Sequence, residues 1–137
     1  MGGTNTKSIS ISFNSVITSA NSGGNGGVIY MSGTTNSFSI DSTSSISTST
    51  ASLNGGIVYM GGSGSQTLNL AGTITSTTAT TGSGGLAYVS GTSLTSTISA
   101  TITTSNSQSN GGIIYSGISG SNTLTISSAT FQTVTAT

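Results

Sequence analysis

Very few side chains in this sequence can take part in acid–base or nucleophilic chemistry. Lys7 and Asp41 are the only charged residues among 137, and His and Cys are absent. General acids and bases, activated nucleophiles and metal ligands are drawn mainly from these residue types. We therefore expect no catalytic residue, no cofactor and no metal site, and we predict that the protein is not an enzyme.

Most of the remaining polar groups are the small hydroxyls of Ser and Thr. The sequence contains 31 Ser, 27 Thr and 21 Gly. Rows of Ser and Thr are either solvated surface or acceptors for covalent O-linked glycans, and the sequence leaves both open. A single cation provides no basic surface for nucleic acid. No apolar run reaches the roughly 18 residues of a membrane helix, so we predict no transmembrane segment.

A motif of two glycines, two aliphatic residues and a tyrosine occurs four times. Its copies begin at Asn25, Asn54, Ser83 and Asn110 and contain all the tyrosines, Tyr30, Tyr59, Tyr88 and Tyr115. Successive tyrosines are roughly 28 residues apart, and such a period indicates a repeat architecture. We divide the single domain, 1–137, into a degenerate repeat, 1–24, and the repeats 25–53, 54–82, 83–109 and 110–137.

Within each repeat, apolar and polar residues alternate with the period of a β-strand. Ser, Thr, Gly and Val are poor helix formers, and turn residues separate three short alternating stretches per repeat. A unit of this length cannot bury its apolar face alone, so the units must stack. The sequence therefore predicts an all-β fold, a parallel β-solenoid of about five coils, each of roughly 28 residues with three short strands. A flexible, disordered chain would lack this spaced β-branched content.

Two sets of apolar residues recur in phase after each tyrosine. We expect the first set to stack inside the solenoid as one ladder: Phe38, Ile40, Leu68, Leu70, Ile98, Leu124 and Ile126. The second set is Ile46, Ile74, Ile102 and Phe131. Ile9, Ile11, Phe13 and Val16 are predicted to form the same two points in the N-terminal coil, whose opening is degenerate.

The Gly-Gly-aliphatic-aliphatic-Tyr motif resembles the coil motif of right-handed parallel β-helix proteins. The repeats of chlamydial polymorphic outer-membrane proteins and of large ciliate surface proteins are similar, over residues 25–137. Adhesin repeats of this kind usually carry a Phe-x-x-Asn element, which Phe13-Asn-Ser-Val16 and Phe131-Gln-Thr-Val134 replace here. The resemblance implies a right-handed β-helix at the cell surface and says less about function.

The motif strand allows two orientations. If Ile29, Val58, Ala87 and Ile114 face the core, the tyrosines face out; the opposite parity buries the tyrosines beside Val28, Ile57, Leu86 and Ile113. Both orientations make this strand apolar on both faces, which predicts either a surface ladder of tyrosines or a face packed against another solenoid. The motif glycines are expected to be required by the backbone, Gly55 or Gly56 having a positive φ or extremely close packing.

The ends of the chain carry no Pro, no charged strand and no helical cap. Unprotected strand edges favour pairing with another chain. If one copy followed another, Gly2-Gly3 would come after Gly111-Gly112 at an interval close to the internal period. We therefore expect a homopolymer in which Leu124, Ile126 and Phe131 pair with Ile9 and Ile11 of the next copy, with the four tyrosines available for lateral contacts.

These features predict a structural subunit of an extracellular or cell-surface filament or sheath that polymerises by end-to-end stacking. The alternative is a binding module, either an adhesin fragment or an ice-binding solenoid. Ice binding requires evenly spaced Thr-x-Thr rows. The pairs beginning at Thr73, Thr101 and Thr123 are unequally spaced, so they do not keep one register.

Overall fold

The structure, a computed structural model, describes residues 5–137. In this range the chain forms sixteen β-strands and no helix. In chain order the strands are β1 (Lys7–Ile11), β2 (Val16–Ile17), β3 (Ala20–Ser22), β4 (Ile29–Met31), β5 (Asn36–Ile40), β6 (Ser45–Ile46), β7 (Ser49–Ala51), β8 (Val58–Gly61), β9 (Ser65–Leu70), β10 (Thr73–Ala79), β11 (Ala87–Gly91), β12 (Ser93–Ile98), β13 (Thr101–Ser107), β14 (Ile114–Ile118), β15 (Asn122–Ile126) and β16 (Thr130–Ala136).

The strands form three parallel sheets that the chain visits in turn. Sheet 1 contains β1, β5, β9, β12 and β15; sheet 2 contains β2, β3, β6, β7, β10, β13 and β16; sheet 3 contains β4, β8, β11 and β14. Each inner strand pairs in parallel with its equivalents one coil before and one coil after, and the strands at the ends of each sheet pair on one side. The predicted all-β parallel β-solenoid is confirmed. It has four complete turns, and β15 and β16 begin a fifth.

Sheet 1 contains the predicted apolar ladder. Ile11, Ile40, Leu70, Ile98 and Ile126 are aligned in one column. Phe38 and Leu68 lie two residues earlier on their strands and are also buried. The inward register is thus confirmed, but Leu124 and Ile126 are 54% and 53% exposed rather than buried. Their side chains belong to the last coil, over which no further coil lies.

The second column of the core lies in sheet 2. It consists of Ile17, Ile46, Ile74, Ile102 and Phe131, with register partners in that order. The prediction for Ile46, Ile74 and Ile102 is confirmed, because all three are buried. In the N-terminal coil, however, the inward residue is Ile17.

Phe13 and Val16, predicted as core residues, are 91% and 64% exposed. Phe13 lies in the loop between β1 and β2, where its left-handed backbone, with a φ of 61°, turns the chain at the corner. Val16 precedes Ile17 on β2 and, by the alternation of a strand, faces outward. The prediction for Phe13 was wrong because the loop of this coil does not continue the alternation of β1. The prediction for Val16 was wrong because β2 places Ile17, not Val16, in register with the buried Ile46.

In sheet 3 the tyrosines face outward, and Val58, Met60 and Val89 are buried. This is the first of the two predicted orientations, with Val58 facing the core and the tyrosines on the outer face. Ile57, however, is fully buried together with its neighbour Val58 instead of lying beside the tyrosines. The amides of both residues donate to the single carbonyl of Leu86. The chain bends at this point, so two consecutive aliphatic side chains enter the same core.

The two motif glycines have different roles, which confirms the prediction for Gly55 and Gly56. The first glycine of each copy, such as Gly55, has a φ between 68° and 72°, a region that favours glycine. The second, such as Gly56, has an ordinary φ. A Cβ on Gly56 would lie closer than 3.0 Å to the carbonyl oxygen of Gly85 in the next coil.

The residue before the glycines links successive coils through its side chain. The Oδ1 atom of Asn25 accepts hydrogen bonds from the backbone N–H and the side-chain amide of Asn54, at 3.1 and 3.0 Å. The Oδ1 atom of Asn54 accepts the backbone N–H of Ser83 at 2.8 Å. This ladder explains the recurrence of a short polar side chain at that repeat position.

Candidate assembly interface

The C-terminal end of the solenoid exposes the inside of its last coil. Leu124, Ile126, Phe131 and Val134 are between 36% and 54% exposed, although their register places them in inward columns. With Ile98 and Ile113 they line an open apolar cavity of about 310 Å³. An apolar patch of this kind at the end of a stack indicates a surface for association.

The strand edges at this end are also unpaired within the described residues. β15 pairs with β12 alone, and β16 pairs with β13 alone. Their outer edges present backbone donors and acceptors to solvent. The sequence of this coil has no charge and no Pro, the features that usually protect exposed edges from pairing with another chain.

The first described coil presents the complementary set of residues. Ile9 and Ile11 on β1, and Ile17 on β2, pack against the core from the N-terminal side. Ile11 is 9% exposed. Among the described strands, β1 pairs only with β5. The predicted interface residues lie on the first and last described coils, and the structure adds Ile17 and Val134 to them.

The columns of the solenoid match the two ends to one another. Leu124 is in the column that begins with Ile9, and Ile126 is in the column that begins with Ile11. Phe131 is in the column of Ile17. A second copy placed one strand spacing beyond the last coil would therefore set apolar residues on apolar residues in three columns. Sequence reasoning missed Ile17, although one full repeat separates it from Ile46, as in the other coils.

The predicted phase across the ends depends on Gly2 and Gly3, which lie outside the described residues, so it stays a prediction.

Hydrogen bonds to the Asp41 carboxylate connect the N-terminal coil to the second coil. Its carboxylate accepts hydrogen bonds from the Ser44 hydroxyl at 2.7 Å and from the Phe13 backbone N–H at 2.9 Å. The backbone N–H and the hydroxyl of Thr43 donate to the same carboxylate. The hydrogen bond from Ser44, then that from Phe13, lower the pKa of Asp41 from 3.8 to about 2.

We expect acid to weaken the N-terminal coil through this carboxylate. The pKa of Asp41 is lower in the folded chain than in the unfolded chain, so its stabilisation is present above pH 4 and is lost as the pH falls towards 2. The loss should be partial, because the group is solvent-exposed. The midpoint of thermal unfolding measured between pH 5 and pH 2 should fall in the native chain and stay nearly constant in Asp41→Asn. An equal slope in both proteins would assign the acid effect elsewhere.

The four tyrosines form a stacked ladder along the outside of sheet 3. Successive ring centroids are 5.1, 4.9 and 5.0 Å apart, with interplanar angles of 5°, 6° and 21°. Tyr30 is 44% exposed. Partial burial, and then the neighbouring Tyr88 and Tyr30, raise the pKa of Tyr59, so this phenol remains protonated at neutral pH. The ladder therefore forms a stacked aromatic ridge along the outer face of sheet 3.

The fold and these surfaces define the chain as a parallel β-solenoid with an open apolar end. Comparison with protein-family models, with curated proteins and with solved structures finds no match. No helix within residues 5–137 is long and apolar enough to cross a membrane. In the same range, no cluster of three or more His, Cys, Asp or Glu side chains is present to bind a metal ion.

Proposed function

We propose that this protein is the structural subunit of an extracellular filament or sheath. In the proposed assembly, the last coil of one copy pairs with the first coil of the next, and the solenoid continues from chain to chain. Such an interface joins two different surfaces, so it propagates without closing. The partner is a second copy of this chain, and covalent O-linked glycans on outward Ser and Thr rows are compatible with it.

The observation that carries the proposal is the match between the two ends. The exposed Leu124, Ile126 and Phe131 meet Ile9, Ile11 and Ile17 in the same three columns. Burial of apolar area contributes roughly 25 cal/mol per Å², and the parallel strand edges would pair at the same time. With one cation and one anion in the chain, electrostatic repulsion between copies is minimal.

The proposal also covers the lateral contacts between filaments and the location of the protein at the cell surface. The tyrosine ladder provides a regular ridge along which neighbouring filaments would pack. The repeated motif resembles the repeats of bacterial and ciliate surface proteins, and this resemblance supports an extracellular location.

Replacing Ile126 by Asp tests the end-to-end contact. Ile126 is already half exposed, so the substitution should leave the fold intact while placing an unpaired charge in the contact between copies. We expect native protein to form sedimenting filaments visible by electron microscopy, and Ile126→Asp to remain monomeric in analytical ultracentrifugation with an unchanged circular dichroism spectrum.

Thr125→Asp is the matched control, because it puts the same charge on the outer face of the same strand. It should assemble like the native chain. A native protein that stays monomeric at high concentration for days would overturn the filament proposal and favour a binding module. Equal assembly by Ile126→Asp would show that copies associate through another surface.

A further inference from the structure

The outer face of sheet 1 is a regular two-column array of small polar groups. On each of its five strands two residues point away from the core, each between two positions of the inward columns. Nine of these ten side chains carry a hydroxyl, and the remaining one is Asn69. The array consists of Ser8 and Ser10, Ser37 and Ser39, Thr67 and Asn69, Thr95 and Thr97, and Thr123 and Thr125.

The pairing of the strands makes this array periodic in two directions. The register continues residue by residue through β1, β5, β9, β12 and β15 without a bulge. Hydroxyls therefore repeat at about 4.8 Å between strands and about 6.6 Å along a strand. Ser39 donates a hydrogen bond to the Ser10 hydroxyl at 3.1 Å, and Thr side chains are stiff at χ1.

Sheet 2 lacks this regularity, although it also bears many threonines. Ile74 and Thr77 are both buried, and two residues lie between them instead of one. The sheet thus bends at Thr75 and Ser76. The Thr-x-Thr pairs at 73 and 101 lie on sheet 2, whereas the pair at 123 lies on sheet 1, which accounts for their unequal spacing in the sequence.

We propose that the outer face of sheet 1 binds ice. A flat, uncharged sheet with hydroxyls in a rectangular repeat offers hydrogen-bond partners in fixed rows, which is the arrangement that an ordered lattice of water molecules can match. Five of the ten positions are Thr, on β9, β12 and β15, and their methyl groups add apolar surface beside the hydroxyls. No charged side chain occurs among the ten outward residues, so nothing on the face imposes a hydration shell of its own.

Two substitutions in one coil test this proposal. Thr95 on sheet 1 and Thr101 on sheet 2 are both exposed and outward-facing. Thr95→Lys places a long charged side chain within the array, and Thr101→Lys places the same side chain on the neighbouring face. We expect native protein and Thr101→Lys to show equal thermal hysteresis and equal inhibition of ice recrystallisation, and Thr95→Lys to lose most of both.

The assay should be repeated in the Ile126→Asp background, which separates ice binding from assembly. Ice activity in a monomeric chain would support this inference whether or not filaments form. Absence of ice activity from the native chain, or equal losses in Thr95→Lys and Thr101→Lys, would overturn it. Binding to crystalline cellulose or chitin without any effect on ice would also overturn it and indicate a polysaccharide partner for the face.

Discussion

Leu70→Asp should prevent the chain from folding. Leu70 is 1% exposed and lies in the middle of the column that runs from Ile11 to Ile126. The substitution removes apolar packing worth about 2–5 kcal/mol and buries an unpaired carboxylate at a further cost of several kcal/mol. Together these losses approach the total stability of a domain, about 5–15 kcal/mol.

The position of Leu70 in the stack increases the effect. A solenoid is stabilised by interfaces between neighbouring coils, and the third of the four complete turns contacts a coil on each side. Its loss leaves fragments that are too short to bury their own apolar residues. Folding is measured by circular dichroism and by the cooperativity of urea unfolding, and we expect neither a native β spectrum nor a transition.

Asn69→Asp provides the control for Leu70→Asp. Asn69 precedes Leu70 on the same strand and is exposed on the outer face, so the same charge remains in solvent. Its unfolding midpoint should be close to that of the native chain. A folded Leu70→Asp protein with a native midpoint would mean that this side chain does not face the core.

The second large effect is expected for Gly56→Ala. The backbone of Gly56 lies against that of the next coil, and an added Cβ would approach the Gly85 carbonyl oxygen and the Thr78 backbone to distances of 3.0 Å or less. Backbone atoms cannot rotate away as a side chain would, so the two coils must separate. Overpacking usually costs about 1–3 kcal/mol, and we expect a loss at or above the upper end of this range.

Gly23→Ala is the matched control, since nothing lies within 4 Å of the Cβ position of Gly23. It should change the free energy of unfolding by less than about 0.5 kcal/mol. Both proteins are compared by chemical denaturation at one pH. Equal stabilities would show that the coils are not in close contact at the second motif glycine.

Much of the fold is predictable because each coil repeats the same physical requirements. The spacing of Tyr30, Tyr59 and Tyr88 sets the length of a coil, and strand alternation places Leu70 and Ile74 in the core. The motif glycines precede a corner where only a residue without a Cβ fits. In each case the information is local, since a side chain and its equivalent one coil away obey the same pattern.

Details at the corners were harder to predict, because the alternation is interrupted where the chain bends. Ile57 and Val58 enter the core together, although a regular strand would send them to opposite faces. Val16 was predicted as the equivalent of Ile46, but the register of β2 with β6 assigns that position to Ile17. The period of the repeat establishes which residues recur but not where the turns fall within it.

The amino-acid pattern alone established the repeat, the class of fold, the inward columns and the shortage of reactive groups. The folded chain established which residues of those columns remain uncovered, so Leu124 and Ile126 are surface residues while their equivalents Leu68 and Leu70 are core. It also assigned the Thr-x-Thr pairs to two different sheets. The physical reason is that a side chain is buried only where a coil lies on each side of its own coil. The face to which a side chain points depends in turn on the bends between strands. Neither is contained in the composition or spacing of one repeat.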